Sequence, residues 1–235
     1  MIKISIILLT YNEKENVGVL IPSIEEVITN INAEIIVVDD SSPDGTAALA
    51  NDLNKKYNNI RVILRKKNKG FAPSLLKGFD CSRGEFIATM DADLCHDPRV
   101  LPKMVGYLEN KTADIVIGSR YVHGSVSEGK PIIKKMASKS AQGIANFILG
   151  LKIKDTTNNF RVFRKEVYEA IKDDLHPTGN VVLTEFLYNA HKKKFKMKEI
   201  PIHFIEKRKD KTRMNLFKEV FNFVKTITKI KLNIK

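Results

Sequence analysis

Short apolar runs recur along this chain, separated by longer stretches in which apolar residues fall at helical spacing. Residues 2–9, 34–38, 60–64, 86–90 and 115–117 are short and mostly apolar, and all but 86–90 are rich in Ile, Val or Leu, so they read as strands. Between them the pattern predicts helices over 13–31 (with a bend at Pro22), 46–57, 70–81 and 98–109. Strands alternating with helices of this length indicate βαβ units and a mainly parallel sheet, hence an α/β fold. Beyond Gly118 the rhythm changes to a helix over 134–149, a strand over 159–164, a helix over 183–191 and a strand over 196–204. Leu216, Phe217, Val220, Phe221, Val224 and Ile227 then return at helical spacing, interleaved with Lys218, Lys225 and Lys229. That is an amphipathic basic helix, suited either to docking on the core or to lying on a membrane surface.

With 235 residues, 43% hydrophobic and 29% charged, the chain is expected to form one domain over 1–212 and a helical extension over 213–235. Cys81 and Cys95 match neither a zinc spacing nor a disulfide framework, which suits a reducing cytosol. The first residues lack the features of a signal peptide, and no apolar run approaches the roughly 20 residues that span a bilayer. The formal charge is +13, and residues 206–235 hold ten Lys or Arg against three acids. Such a basic tail suits nucleic acid, anionic lipid or a phosphorylated ligand, or is an ordinary lysine-rich surface.

Candidate chemistry sits where the strands end. Asp91 and Asp93 follow the 86–90 strand, and open α/β sheets bind ligands at the carboxyl ends of their strands. Alternation aims residues i and i+2 the same way, so the two carboxylates converge on one hard divalent cation, Mg²⁺ or Mn²⁺, with substrate phosphates. Cys95 and His96 follow directly, but a hard cation prefers oxygen to thiol. Leu9-Thr10-Tyr11-Asn12-Glu13 after the first strand is neither a dinucleotide fingerprint nor a Walker loop. Asp39-Asp40 closes the second strand, where an acid either meets a ribose or base or stabilises the Ser41-Ser42-Pro43-Asp44-Gly45 turn. Gly118-Ser119-Arg120-Tyr121, Lys134-Lys135 with Ser138, and Lys207, Arg208, Lys211 and Arg213 form a cationic phosphate site if they converge, and a solvated surface if they do not.

Thr10-Tyr11-Asn12-Glu13, Val37 to Thr46, Asp91 to Pro98 and Gly118 to Tyr121 occur in order, followed by Asp155-Thr156-Thr157-Asn158-Asn159-Phe160-Arg161. Together with Glu185 to Tyr188 and Glu199 to Ile202, this set resembles the inverting family 2 glycosyltransferases, and closely their dolichol-phosphate mannose synthase branch, over about residues 4–214. The resemblance implies a Rossmann-like GT-A domain, with a nucleotide-sugar half of about 1–118 and an acceptor half of about 119–212. It implies GDP-mannose as donor, a polyprenyl phosphate such as dolichyl phosphate as acceptor, Mg²⁺ or Mn²⁺ on Asp91 and Asp93, and no nucleic acid. Leu9, Tyr11, Asn12, Glu13, Val38, Asp40 and Ala92 would line the donor site, with Asp39 supporting it. Arg120, Lys134 and Ser138, with Lys207 or Arg213, would hold the acceptor phosphate, so that Asp91, Asp93 and Arg120 carry the reaction. The resemblance places the protein on the cytoplasmic face of a membrane, held by its C-terminal helix. Three departures stand out: Leu9 where many members carry Pro, Cys95 where Ser or metal-coordinating Gln is usual, and Asn158-Asn159 in place of Ser-Gly. A polyprenyl-phosphate glucosyltransferase using UDP-glucose is the nearest alternative. A nucleic-acid- or membrane-binding protein without catalysis is the alternative outside enzymes, and would show binding that weakens steeply with salt and ignores Asp91→Ala.

Overall fold

The computed structural model describes residues 2–129, 132–177, 179–206 and 216–232. Five strands, β1 (Ile4–Thr10), β2 (Ala33–Asp39), β3 (Ile60–Leu64), β4 (Phe86–Asp91) and β5 (Ile115–Ser119), alternate with α1 (Lys14–Val27), α2 (Thr46–Tyr57), α3 (Phe71–Cys81) and α4 (Leu101–Glu109). There follow β6 (Val126–Glu128), α5 (Ile132–Leu149), β7 (Arg161–Arg164), α6 (Lys165–Ile171), α7 (Val182–Lys192), β8 (Met197–Pro201), β9 (His203–Ile205) and α8 (Leu216–Leu232). Seven strands form one sheet in the order β3-β2-β1-β4-β7-β5-β8, and β6 pairs with β9 beside it.

The sheet is mainly parallel, as the alternation requires. β1 runs parallel to β2 and β4, β2 to β3, and β5 to β8, whereas β7 is antiparallel to both β4 and β5. Alternation along β1 divides its side chains between two apolar layers. Ile4, Ile6 and Leu8 pack with Val17, Leu20 and Ile21 of α1 and Leu101, Met104 and Val105 of α4. Ile7 faces the other way, with Leu75 and Phe79 of α3, Ala145 and Leu149 of α5, and Leu183, Phe186 and Leu187 of α7. Gly84 has no room for a side chain, because an added Cβ would lie 2.6 Å from the Ser5 nitrogen and 2.7 Å from the Ile4 carbonyl carbon.

Three departures from the expected elements have local causes. The first helix continues through Pro22 but stops at Val27, before a turn at Thr29-Asn30. The apolar run over 196–204 is divided between two sheets: it pairs with β5 as far as Pro201, and after Ile202 pairs with β6. α6 starts directly at the end of β7, so no turn residues announce it.

Candidate active site

Sequence order reverses between β1 and β4, because the chain builds outward from β1 to β2 and β3 and then returns to β1's other edge. This is the switch point at which open α/β sheets form a crevice. Leu9 and Asp91 are paired across it. The antiparallel strand β7 adds to the same end: its N-terminus lies where β4 and β5 finish, so the loop over 155–160 is delivered to the crevice.

On the β1–β2 side, Asp39 is wholly buried and ties two loops together. Its Oδ2 accepts from Thr10 Oγ1 at 2.9 Å and Ser42 Oγ at 2.5 Å, and its Oδ1 from the Ser42 N–H at 2.8 Å. Asp44 accepts from the Lys14 N–H at the start of α1 (3.1 Å) and from the Thr46 N–H and hydroxyl. These bonds hold its carboxyl below the usual range against the burial that would raise it. Asp40 is held by three donors: Arg65 Nη1 and Ser74 Oγ on Oδ1 (2.8 and 2.9 Å) and the Gly70 N–H on Oδ2 (2.6 Å). Beside it a cleft of about 430 Å³ is lined by Leu9, Tyr11, Glu13 and Asp40 together with Lys69, Gly70, Phe71 and Ser74. The last four were not singled out from the sequence for binding; Gly70, at φ +123° before α3, was the available signal. Asn12 and Val38 do not line this cleft. Asn12 takes a left-handed φ of +58° with its N–H on Ser42 Oγ, and Val38 is packed wholly within the core.

The next cleft, about 380 Å³, shares Leu9, Glu13 and Phe71 with the first and brings Asp91, Ala92, Asp93 and Arg120 together with Thr157, Asn158 and Asn159. The turn after β4 is fastened by its own groups. The Asp91 N–H donates to His96 Nδ1 at 3.2 Å, and the Cys95 N–H to Asp93 Oδ1 at 3.2 Å. Since His96 Nδ1 accepts, its proton is on Nε2, which donates to Asn158 Oδ1 at 3.0 Å. The ring stacks on Phe160 at 4.9 Å. Burial keeps this imidazole below its ordinary pKa despite the nearby charges of Asp91 and Asp93.

Asp91, Cys95 and His96 offer donor atoms within 4.8 Å of one another. That trio does not make a zinc site. Both His96 nitrogens are already bonded, one to the Asp91 N–H and one to Asn158, and the soft Cys95 sulfur is a poor ligand beside two hard carboxylates. What remains is the pair of carboxylates, a donor set that fits a hard divalent cation.

Arg120 stands on the far side of the carboxylates. Its Nε and Nη2 each reach wholly buried Asp155 at 2.8 Å, its backbone N–H reaches the same carboxylate at 2.9 Å, and Nη2 also reaches Thr157 Oγ1 at 3.1 Å. Burial alone would lower the guanidinium pKa; the Asp155 bonds and charge outweigh it and raise it, so Arg120 is a fixed cation. Asp155 is anchored in turn by Glu199 of β8, whose carboxylate accepts the Lys154 and Asp155 N–H groups at 2.8 and 2.9 Å. Arg161 clamps the loop from beneath through the Thr156, Asn158 and Leu183 carbonyls.

Asp91, Arg120 and Thr157 also line a third cleft, about 410 Å³, whose other wall is Ser138, Ala141 and Gln142 of α5 with Val220 and Phe223 of α8. The three clefts therefore share walls in series. Ser138 and Gln142 neighbour the Tyr121 phenol, whose pKa burial raises. Lys134 lies in α5, four residues before Ser138. Lys207 and Arg213 lie outside the described residues.

A model of the family described as glycosyl transferase family 2 matches residues 5–172. The dolichol-phosphate mannosyltransferase of Pyrococcus furiosus is 37% identical over 230 residues, which cover 97% of this chain and 63% of that protein. The polyprenol monophosphomannose synthase of Mycolicibacterium smegmatis is 34% identical over 207 residues, 86% of this chain and 77% of that one. The chain thus spans a little under two thirds of the length of the first of these relatives. Among solved structures, mannosyl-3-phosphoglycerate synthase from Rubrobacter xylanophilus aligns over 99% of this chain and 74% of its own, with TM-score 0.71 and 16% identity. Glucosyl-3-phosphoglycerate synthase from Mycobacterium tuberculosis, crystallised with Mn²⁺, UDP and its product, aligns over 99% and 79%, with TM-score 0.69 and 17% identity. At such identities the solved structures speak to the fold.

Proposed function

Since the chain belongs to glycosyl transferase family 2, we propose that it transfers mannose from GDP-mannose to a polyprenyl phosphate, with inversion, in a reaction that needs Mg²⁺ or Mn²⁺. One observation carries the reading: Arg120 lines both the cleft of Asp91 and Asp93 and the cleft against α5 and α8. A fixed cation therefore stands between the place for a metal-bound diphosphate and a second site open to another anion. The names of the two curated relatives support the choice of mannose and of a polyprenyl acceptor. We assign the donor half to about 1–118 and the acceptor half to about 119–212.

In this reading Leu9, Tyr11, Glu13 and Asp40 surround the nucleoside, and Ala92 lies against the diphosphate. Asp91 and Asp93 would hold the cation, which when bound neutralises charge gathering on the departing GDP. Arg120, with Ser138 and Lys134 of α5, holds the acceptor phosphate, and Lys207 or Arg213 completes that site. A phosphate monoester has a second pKa of about 6 and is already anionic near neutral pH, so it attacks without a strong general base. The chain's task is to bring two mutually repelling anions into line. A phosphate oxygen then bonds to the anomeric carbon as the bond to the GDP oxygen breaks. The electron pair leaves with GDP, and an α-linked donor becomes a β-linked mannosyl phosphate.

No helix among the described residues is long and apolar enough to cross a membrane. α8 docks on the core through wholly buried Ile227, with Phe223 and Ile230 half-buried, yet leaves Phe221 and Leu232 exposed beside Lys225 and Lys229. That face suits the headgroup level of an anionic bilayer, and we place the protein there, on the cytoplasmic side. The test is incubation with GDP-mannose, dolichyl phosphate and Mg²⁺ or Mn²⁺ in detergent, beside Asp91→Ala and a parallel tube with UDP-glucose. Metal-dependent mannosyl lipid that is absent with the variant is expected. Glucosyl lipid alone would overturn the donor, and no glycolipid from folded protein would overturn the acceptor.

A further inference from the structure

Asn159 occupies the position at which the family pattern carries glycine, and its side chain points to a role at the cation site. It is 3% exposed and lines the cleft of Asp91 and Asp93. Its Nδ2 donates to Asp91 Oδ1 at 3.0 Å. An ionised carboxylate only accepts, so this bond fixes which end of the amide is nitrogen and leaves Oδ1 as the other end. That oxygen is buried, and among the described residues no donor reaches it. Thr89 Oγ1 donates to the Asn159 carbonyl, which anchors the backbone from β4. The other buried side-chain oxygens without a partner, on Glu25, Asn59 and Asn146, line none of the three clefts.

We infer that Asn159 belongs to the cation site: Nδ2 positions Asp91, and Oδ1 adds a neutral oxygen to the coordination sphere. A hard divalent cation wants six or more oxygens. The adjacent groups supply few beyond the two aspartates, since both His96 nitrogens are engaged and the Cys95 sulfur is a soft donor that a hard cation disfavours. A buried carbonyl oxygen with no donor is costly as it stands and is satisfied by a cation. The inference rests on the metal-dependent reading above.

Mn²⁺ binding, followed by loss of the free-ion EPR signal with and without GDP, tests it on the full chain. The proteins are wild type, Asn159→Gly and Asn159→Asp, with Asn159→Ala replacing the glycine variant if that does not fold. Removing the amide is expected to weaken Mn²⁺ binding 10–100-fold. Asn159→Asp loses the Nδ2 donor but keeps an oxygen, and should recover most of that loss once metal is present. Affinity of the glycine or alanine variant within twofold of wild type would overturn the inference while leaving the metal-dependent reading intact. An aspartate variant as weak as glycine would remove Oδ1 from the site. If wild type binds no Mn²⁺ even with GDP, the metal-dependent reading falls and this inference falls with it.

Discussion

Asp155→Asn tests whether Arg120 is held ready by its buried partner. The two side chains are 0% and 14% exposed, and three N–H groups of residue 120 converge on one carboxylate. Asparagine keeps the volume but offers one acceptor oxygen where two are used, and turns an NH₂ toward a donor. The guanidinium then keeps its charge in a buried site without its counter-ion. Breaking such a pair from one side costs about 3–5 kcal/mol. For a chain of this size each kcal/mol lowers the Tm by about 2–4 °C, so a fall on the order of 10 °C is expected in thermal unfolding. Arg120 raises no pH dependence of its own in the working range, because its folded pKa is raised above the already high value of an ordinary arginine and its contribution stays complete below that value. The functional consequence should be one-sided. Neither Asp155 nor Arg120 lines the cleft beside Asp40 proposed for the nucleoside, whereas Arg120 lines the α5–α8 cleft proposed for the acceptor phosphate, so the loss should fall mainly on the acceptor KM rather than on GDP affinity. A Tm within 2 °C of wild type together with an unchanged acceptor KM would refute the reasoning. So would equal losses on the donor and acceptor sides.

Three further outcomes follow from single contacts. Burial would raise the pKa of Glu34, but Ser5, Arg61 and the Arg83 N–H outweigh it and hold the carboxyl below its ordinary 4.5. The stability it contributes is therefore complete above about pH 4.5 and is lost as pH falls through the lower folded value, so urea midpoints of Glu34→Gln and wild type should converge on acidification; a constant gap would contradict the assignment. Gly84→Ala should destabilise by about 1–3 kcal/mol, since the added carbon meets rigid backbone of β1 rather than a movable side chain, and a normal denaturation midpoint would show that this approach is looser than described. Phe221 is 68% exposed on α8, so Phe221→Asp should leave the Tm nearly unchanged while reducing flotation with anionic liposomes; undiminished flotation would remove α8 from the membrane reading.

Elements carried by period and composition were legible at once. The helix expected at 46–57 and the strand at 60–64 coincide with α2 and β3, because polar turns bound both and each shows a single clear period. The strand ends carrying Asp39 and Asp91 were likewise readable, since both follow runs of buried Ile, Val, Ala or Met. β6 escaped because three residues with two exposed ends carry no alternation. The direction of β7 also had no local signal: Arg161–Arg164 reads as a strand either way round.

That unsigned direction decides how much of the site could be found. Were β7 parallel to β4 and β5, the loop before it would emerge at the opposite end of the sheet, and Asp155, Asn158 and Asn159 would be remote from the carboxylates. Running antiparallel between them, β7 pairs Arg161 with both Thr89 and Ile117 and delivers that loop beside Asp91 and Arg120. Asp155 meets Arg120 across 35 positions in sequence, and Asn159 meets Asp91 across 68. Each contact joins residues whose local surroundings give no hint of the other. Asp91 at the end of β4 can be placed from chemistry and period alone, Asp93 follows in the turn beyond it, and a role for Arg120 came only from the family resemblance. The counter-ion and the amides that support them become visible only once strand order is known. The same logic keeps the Val38 side chain from the cleft beside Asp40: it follows Val37 in a strand covered on both faces, and alternation sends its side chain into the α3 layer while Asp40, beyond the strand, turns to the cleft.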